Sequence, residues 1–143
     1  MEHSTKTEEN KLSNFVALAV EPDGTTKRLI FTRENSLKVF QNAVGGLIEP
    51  VRIAPTLEMY VNEEGILLGL EKNILATAIA TSVFSDEMSK PYYLLGTAVF
   101  IGGVDYEGYT RGLDDRILNT LEMLATMARL ETALEITTAS FDV

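Results

Sequence analysis

The residues best suited to holding a ligand lie close together in Asp105-Tyr-Glu-Gly-Tyr-Thr-Arg-Gly112, where Tyr106, Tyr109, Thr110 and Arg111 share one glycine-flexed loop beside an apolar run. Two phenol rings can stack a planar ligand, and a guanidinium can fork onto a phosphate or carboxylate. The competing reading is a hairpin whose tyrosines cap the core edge while Arg111 pairs with a nearby acid. Paired carboxylates occur at Glu63-Glu64 and Asp114-Asp115, and Asp105 lies two residues before Glu107. One or two carboxylates plus a substrate phosphate can hold magnesium. A solvated turn and a helix start explain these acids more simply, so no metal site is expected.

Most reaction classes lack their parts. The one histidine is His3, in a polar N-terminal stretch, and there is no cysteine. A serine–histidine dyad, a histidine-rich zinc site, a thiolate zinc site and a thiol nucleophile therefore have no ordered supplier. Neither Gly45-Gly46 nor Gly102-Gly103 is followed by a phosphate-cradling Gly-Lys-Ser/Thr or Gly-x-x-Gly pattern. No catalytic residue is assigned and no cofactor is expected.

The elements that must position the loop follow from patterning. At 143 residues the chain fits one domain, which can bury roughly two thirds of its unfolded surface. Residues 1–13 are polar and read as a mobile tail, leaving 14–143 as the domain. Phe15 to Val20 is apolar throughout, as in a strand covered on both faces, and Pro22-Asp23-Gly24 turns it back toward Arg28–Thr32. Leu37, Phe40 and Val44 mark a short helix, with Asn35 or Ser36 as N-cap and Gly45-Gly46 ending it. Leu47–Ile53 reads as an edge or bulged strand because Pro50 cannot donate to a ladder. A hairpin of Leu57–Val61 with Ile66–Leu68 is expected around Asn62-Glu63-Glu64-Gly65. A helix is expected over 73–84 with Asn73 as N-cap, then a polar loop through Asp86 and Pro91, and a strand over Leu94–Ile101. The last helix opens at Asp114-Asp115, with Ile117, Leu118, Leu121, Leu124, Ala128 and Leu134 as its core stripe. The end, 137–143, is left open between a strand and a frayed terminus. This order predicts an α+β fold, a mixed or antiparallel sheet with about three helices packed on it.

Charge narrows the partners. Residues 1–33 hold five acids and five bases, and residues 34–143 hold 16 acids and seven bases, so the net −9 lies wholly in the body (16 − 7 = 9). Binding through nucleic-acid phosphates normally needs a basic face, so direct nucleic-acid binding is not expected. No signal core or run of 18 apolar residues is seen, so neither secretion nor membrane association is expected. The cytoplasm is the expected location.

Three pieces in fixed order, Ala43-Val-Gly-Gly-Leu-Ile-Glu-Pro-Val51, Met59-Tyr-Val-Asn-Glu-Glu-Gly65 and Gly69-Leu-Glu-Lys-Asn73 running into Ala76-Thr77-Ala78, resemble the domain of unknown function 3846 of bacteria, phages and plasmids. Gly96-Thr-Ala-Val-Phe-Ile-Gly-Gly103 continues the likeness, which spans about residues 37–113. The resemblance implies a small accessory protein in the host cell cytoplasm, belonging to a mobile element or its host. Within the matched part Asn62, Asn73 and Thr77 are further ligand-binding candidates if their polar groups share a pocket. A turn residue and a helix cap are the structural alternatives for the two asparagines.

These features together favour a homo-oligomeric, non-catalytic phage or mobile-element protein that binds a small anionic or planar ligand, such as a nucleotide-derived host defence signal. Asn62, Asn73, Thr77, Tyr106, Tyr109 and Arg111 are its expected contacts. An acidic antagonist of a host nucleic-acid-binding protein is the alternative, and a carboxylate-bound magnesium hydrolase ranks third.

Overall fold

Strand β1 (Phe15–Val20) carries apolar side chains on both faces because it lies inside a sheet covered on both sides. The computed structural model describes residues 13–83 and 93–141, with residues 136–141 described by their helical backbone alone. Five strands form one antiparallel sheet in the order β2-β1-β5-β4-β3, where β2 is Thr26–Phe31, β3 Ile48–Ala54, β4 Leu57–Asn62 and β5 Ala98–Ile101. Helix α1 (Ser36–Val44) packs on one face, and α2 (Ile74–Val83) and α3 (Asp115–Phe141) pack on the other. The fold is α+β. The expected tail lies almost wholly outside the described residues, as does the expected loop through Asp86 and Pro91.

Alternation along the strands divides the core. Leu18, Val20, Met59, Val61, Ala98 and Phe100 meet Ala76, Ile79 and Ala80 of α2 and Leu118 and Leu121 of α3. Ala17, Ala19, Phe31, Tyr60, Val99 and Ile101 meet Phe40 and Val44 of α1. On this second face an aromatic ladder crosses the sheet: Phe15–Phe31 at 5.6 Å, Phe31–Phe40 at 4.9 Å and Phe40–Tyr60 at 5.0 Å between ring centroids. Such pairs add to the value of the buried area itself.

Several local expectations need correction. The hairpin partner of β4 is β3, which pairs with it from Ile48↔Asn62 to Ala54↔Leu57 across a register shift between Arg52 and Ala54. Ile66, Leu67 and Leu68 form no strand; they lie exposed in a series of turns, because β5 already occupies the other edge of β4. The strand expected over 94–101 begins only at Ala98, since Gly96 has φ +76 and Leu95 makes an isolated bridge to Lys72. Asn35, one of the two residues expected, is the N-cap of α1, but without a side-chain cap bond: its Oδ1 accepts from the Thr32 N–H at 2.7 Å, and Ser36 Oγ donates to the Arg33 carbonyl. Gly45 does end α1, in the left-handed conformation, with its N–H donated to the Gln41 carbonyl.

Helix α3 runs unbroken through Phe141. Asp114 is its N-cap, accepting from the Ile117 N–H at 2.9 Å. Leu118, Leu121 and Ala125 are buried, whereas Leu124 and Leu134 are exposed, so the core stripe is shorter than the apolar pattern suggested. Arg28 of β2 clasps Glu122 through two hydrogen bonds of 2.6 and 3.0 Å. Those bonds hold the Glu122 carboxyl below its ordinary value of 4.5.

A carboxyl with a depressed folded pKa stabilises the fold above its unfolded pKa, and that contribution is lost as pH falls through the folded value. The pair is partly solvated, so Glu122→Gln is expected to cost under about 1 kcal/mol near pH 7. In denaturant titrations the difference from the unsubstituted protein should shrink as pH falls through the folded pKa of Glu122 and be absent once the carboxyl is protonated in both states.

Candidate functional site: a cleft at the start of β1

The site is built by backbone closure at two glycines. After β5 the chain reverses through Gly102 and Gly103, forms a small ribbon bridged at Val104↔Thr110, and returns to lie beside the first residues of β1. Gly102 N–H donates to the Arg111 carbonyl and Arg111 N–H donates to the Gly103 carbonyl, each at 2.8 Å, and Leu113 N–H donates to the Val16 carbonyl at 2.8 Å. A Cβ on Gly102 would lie 2.1 Å from the Gly112 carbonyl oxygen, and one on Gly112 would lie 2.9 Å from Phe15 Cβ. Only glycine permits this approach.

Asp105 shapes the tip of the ribbon: its Oδ1 accepts from the N–H groups of Glu107 and Tyr109 at 2.9 and 3.0 Å. The ribbon's base is pinned to the aromatic ladder, because Tyr60 Oη and Thr110 Oγ1 lie 2.8 Å apart. Burial is the main cause that raises the Tyr60 pKa, so the phenol stays protonated at neutral pH.

Between the ribbon, the start of β1, the turn after β2 and the start of α3 is a cleft of about 440 Å³, lined by Phe15, Arg33, Asp105, Tyr109, Thr110, Arg111, Asp114 and Asp115 among others. This volume suits a small organic ligand. Arg33 lies over the Tyr109 ring, with its guanidinium carbon 4.2 Å from the centroid, and approaches Asp105 at 3.9 Å. Arg111 is exposed and has no ion-pair partner among the described residues. Two guanidiniums and three carboxylates line the cleft, so a highly charged polyanion is disfavoured. A planar group stacked near Tyr109, with one anionic substituent toward Arg111, matches the chemistry.

Of the sequence-derived candidates, Tyr109 and Arg111 line this cleft. Tyr106 stands at the ribbon tip, 95% exposed. Asn62, Asn73 and Thr77 lie elsewhere, with their polar groups committed to the fold. Asn62 donates to the Val44 carbonyl at 3.0 Å and accepts from the Glu64 N–H at 2.7 Å. Asn73 is fully buried; it donates to the carbonyls of Val20 and Gly96 and accepts from the Ala76 N–H, capping α2. Thr77 Oγ1 donates to the Asn73 carbonyl and accepts from the Leu94 N–H. Arg33 is the cleft residue that sequence reasoning missed. No spacing signal links it to Tyr109, since the fold brings them together from separate elements.

A second cleft, of about 420 Å³, is lined by Arg52, Ile53, Ala54, Pro55, Glu58 and Val104. Its two charged groups neutralise each other, Arg52 Nε donating to Glu58 Oε1 at 2.9 Å. Among the described residues no group of three or more histidine, cysteine, aspartate or glutamate side chains is placed to hold a metal ion. No helix among them is long and apolar enough to cross a membrane.

A family model described as Domain of unknown function (DUF3846) matches residues 15–126. The match extends beyond the motif-bearing segment to include the β1–β2 hairpin and the first part of α3. No curated protein and no solved structure shows a significant match to the chain.

Gly102→Ala is expected to cost about 3 kcal/mol or more, because the added carbon meets backbone rather than a side chain that can move. Gly108→Ala, with φ +90 and open space around it, should cost only about 1 kcal/mol. Urea unfolding of the two variants checks the contrast.

Proposed function

This chain belongs to the family of domain of unknown function 3846, and on that premise we propose that it is a non-catalytic accessory protein that binds a small planar, singly anionic ligand in the Tyr109–Arg111 cleft. The observation that carries this reading is the Arg33 guanidinium stacked on Tyr109 near Arg111, at a cleft of ligand size. The threonine hydroxyl of the cleft, Thr110 Oγ1, is engaged by Tyr60 Oη at 2.8 Å, which favours a binding role over a nucleophilic one. The setting implied by the family, a mobile element in a bacterial cell, favours a nucleotide-derived host defence signal as the ligand, bound intact and kept from its receptor.

A thermal-shift panel of nucleoside monophosphates, dinucleotides and cyclic nucleotides tests the proposal. At about 100 times Kd a ligand should add about 2.7 kcal/mol of stability, raising Tm by several degrees. Arg111→Ala should remove that shift while leaving Tm without ligand unchanged, since Arg111 is exposed and makes no ion pair among the described residues. No rise in Tm with any member at millimolar concentration contradicts the proposal, as does a rise that survives in the Arg111 variant.

A further inference from the structure

Helix α3 is apolar on two opposite sides. Leu118, Leu121 and Ala125 face the sheet. Met123, Met127, Leu130 and Leu134 recur at spacings of four, three and four, and by helical geometry their stripe lies roughly opposite the buried one. Their exposures are 57, 51, 58 and 66%, and Leu124 on the flank is 38% exposed. The sheet holds the helix up to Arg129, whose guanidinium donates to the Gly24 carbonyl at 3.3 Å, and residues 131–135 are all exposed. This is the seam of a helix pair with one helix in place.

We propose that the seam is covered by the α3 of a second copy of this chain, in an antiparallel two-fold contact centred between Ala128 and Arg129. That register stacks Met123 on the partner's Leu134 and Met127 on the partner's Leu130, each layer occurring twice. The exposed apolar surface of the seam is on the order of 500 Å² per copy, so the pair buries about 1,000 Å², the size at which a specific interface becomes credible. The flanking positions are compatible with a like partner: of Leu124, Thr126, Glu131 and Ala133 only Glu131 is charged, so each copy brings a single charge to the rim of the contact. Orientation follows from charge. Each copy carries −9, and the antiparallel arrangement sets the two acidic bodies at opposite ends of the seam and opposes the helix dipoles. It also places the two α3 N-termini, and with them the two clefts, about 40 Å apart. The contact is therefore independent of ligand binding.

Sedimentation velocity over a dilution series tests the proposal. The unsubstituted chain should show twice the chain mass at high concentration and lose it on dilution. Added salt should strengthen association by screening the two bodies. Met127→Glu with Leu130→Glu should give a single-chain mass throughout, with unchanged helical circular dichroism and unchanged Tm at low concentration, because both side chains are exposed in the single copy. Orientation is read in this cysteine-free chain by mixing Met123→Cys with Leu134→Cys: cross-links between the two variants support the antiparallel seam. A single-chain mass at the highest concentration overturns the proposal. So does a double variant that still associates, or cross-linking of each cysteine variant only to itself.

Discussion

One buried amide ties the sheet to the helices on which its order depends. Asn73 Nδ2 donates to the Val20 carbonyl at 2.8 Å, where β1 ends, and to the Gly96 carbonyl at 2.9 Å, just before β5 begins; its Oδ1 accepts from Ala76 in the first turn of α2. Strand β5 enters the sheet between β1 and β4 with only three residue pairs on each side. So short a strand is weakly specified by its own ladder. The amide fixes where it starts relative to β1 and aligns the helix that delivers it. Donors and acceptor are satisfied together in a fully buried place, where a lost partner leaves a desolvated carbonyl rather than a hydrated one.

The ribbon and cleft beyond β5 inherit that placement. Phe100 and Ile101 fill opposite faces of the sheet, and the chain leaves it at Gly102 and Gly103, where Gly103 takes φ +94. Gly102 and Gly112 allow the two backbones to touch, and the space left by their missing side chains sets the ribbon against Phe15 and Val16. The cleft is thus a consequence of backbone closure. Two of its lining groups, Arg33 and Tyr109, sit on the turn that follows β2 and on a ribbon hydrogen-bonded to the Tyr60 end of the aromatic ladder.

Much of this was legible in the sequence, and the failures have identifiable causes. The all-apolar run of β1, the glycine stop after α1, the edge character of the Pro50 strand and the Asp114 start of α3 each rest on a local rule that the fold obeys. Ile66-Leu67-Leu68 misled because an apolar run bounded by turns has no periodicity to separate a strand from an exposed turn. The α3 pattern misled for the opposite reason: it superimposes two stripes, one for the sheet and one left outward. Tyr109 and Arg111 could be found in one loop, whereas Arg33 could not, because its place over Tyr109 is tertiary.

The family motifs have a physical explanation of their own. Gly46 abuts the Asn62 amide, where a Cβ would lie 2.9 Å from Nδ2, and Asn62 in turn holds the Val44 carbonyl. Gly96 donates to the Glu71 carbonyl at 2.7 Å and packs on Leu70. The pieces that make the resemblance recognisable are thus fasteners between turns, and the proposed ligand site is assembled at their margin. Amide chemical-shift mapping, with the nucleotide that most stabilises the protein as titrant, separates these two regions most directly. The largest shifts are expected on Phe15, Arg33 and Tyr109 through Leu113; largest shifts around Gly46, Asn62 and Asn73, with the cleft unmoved, would contradict a ligand site at the ribbon.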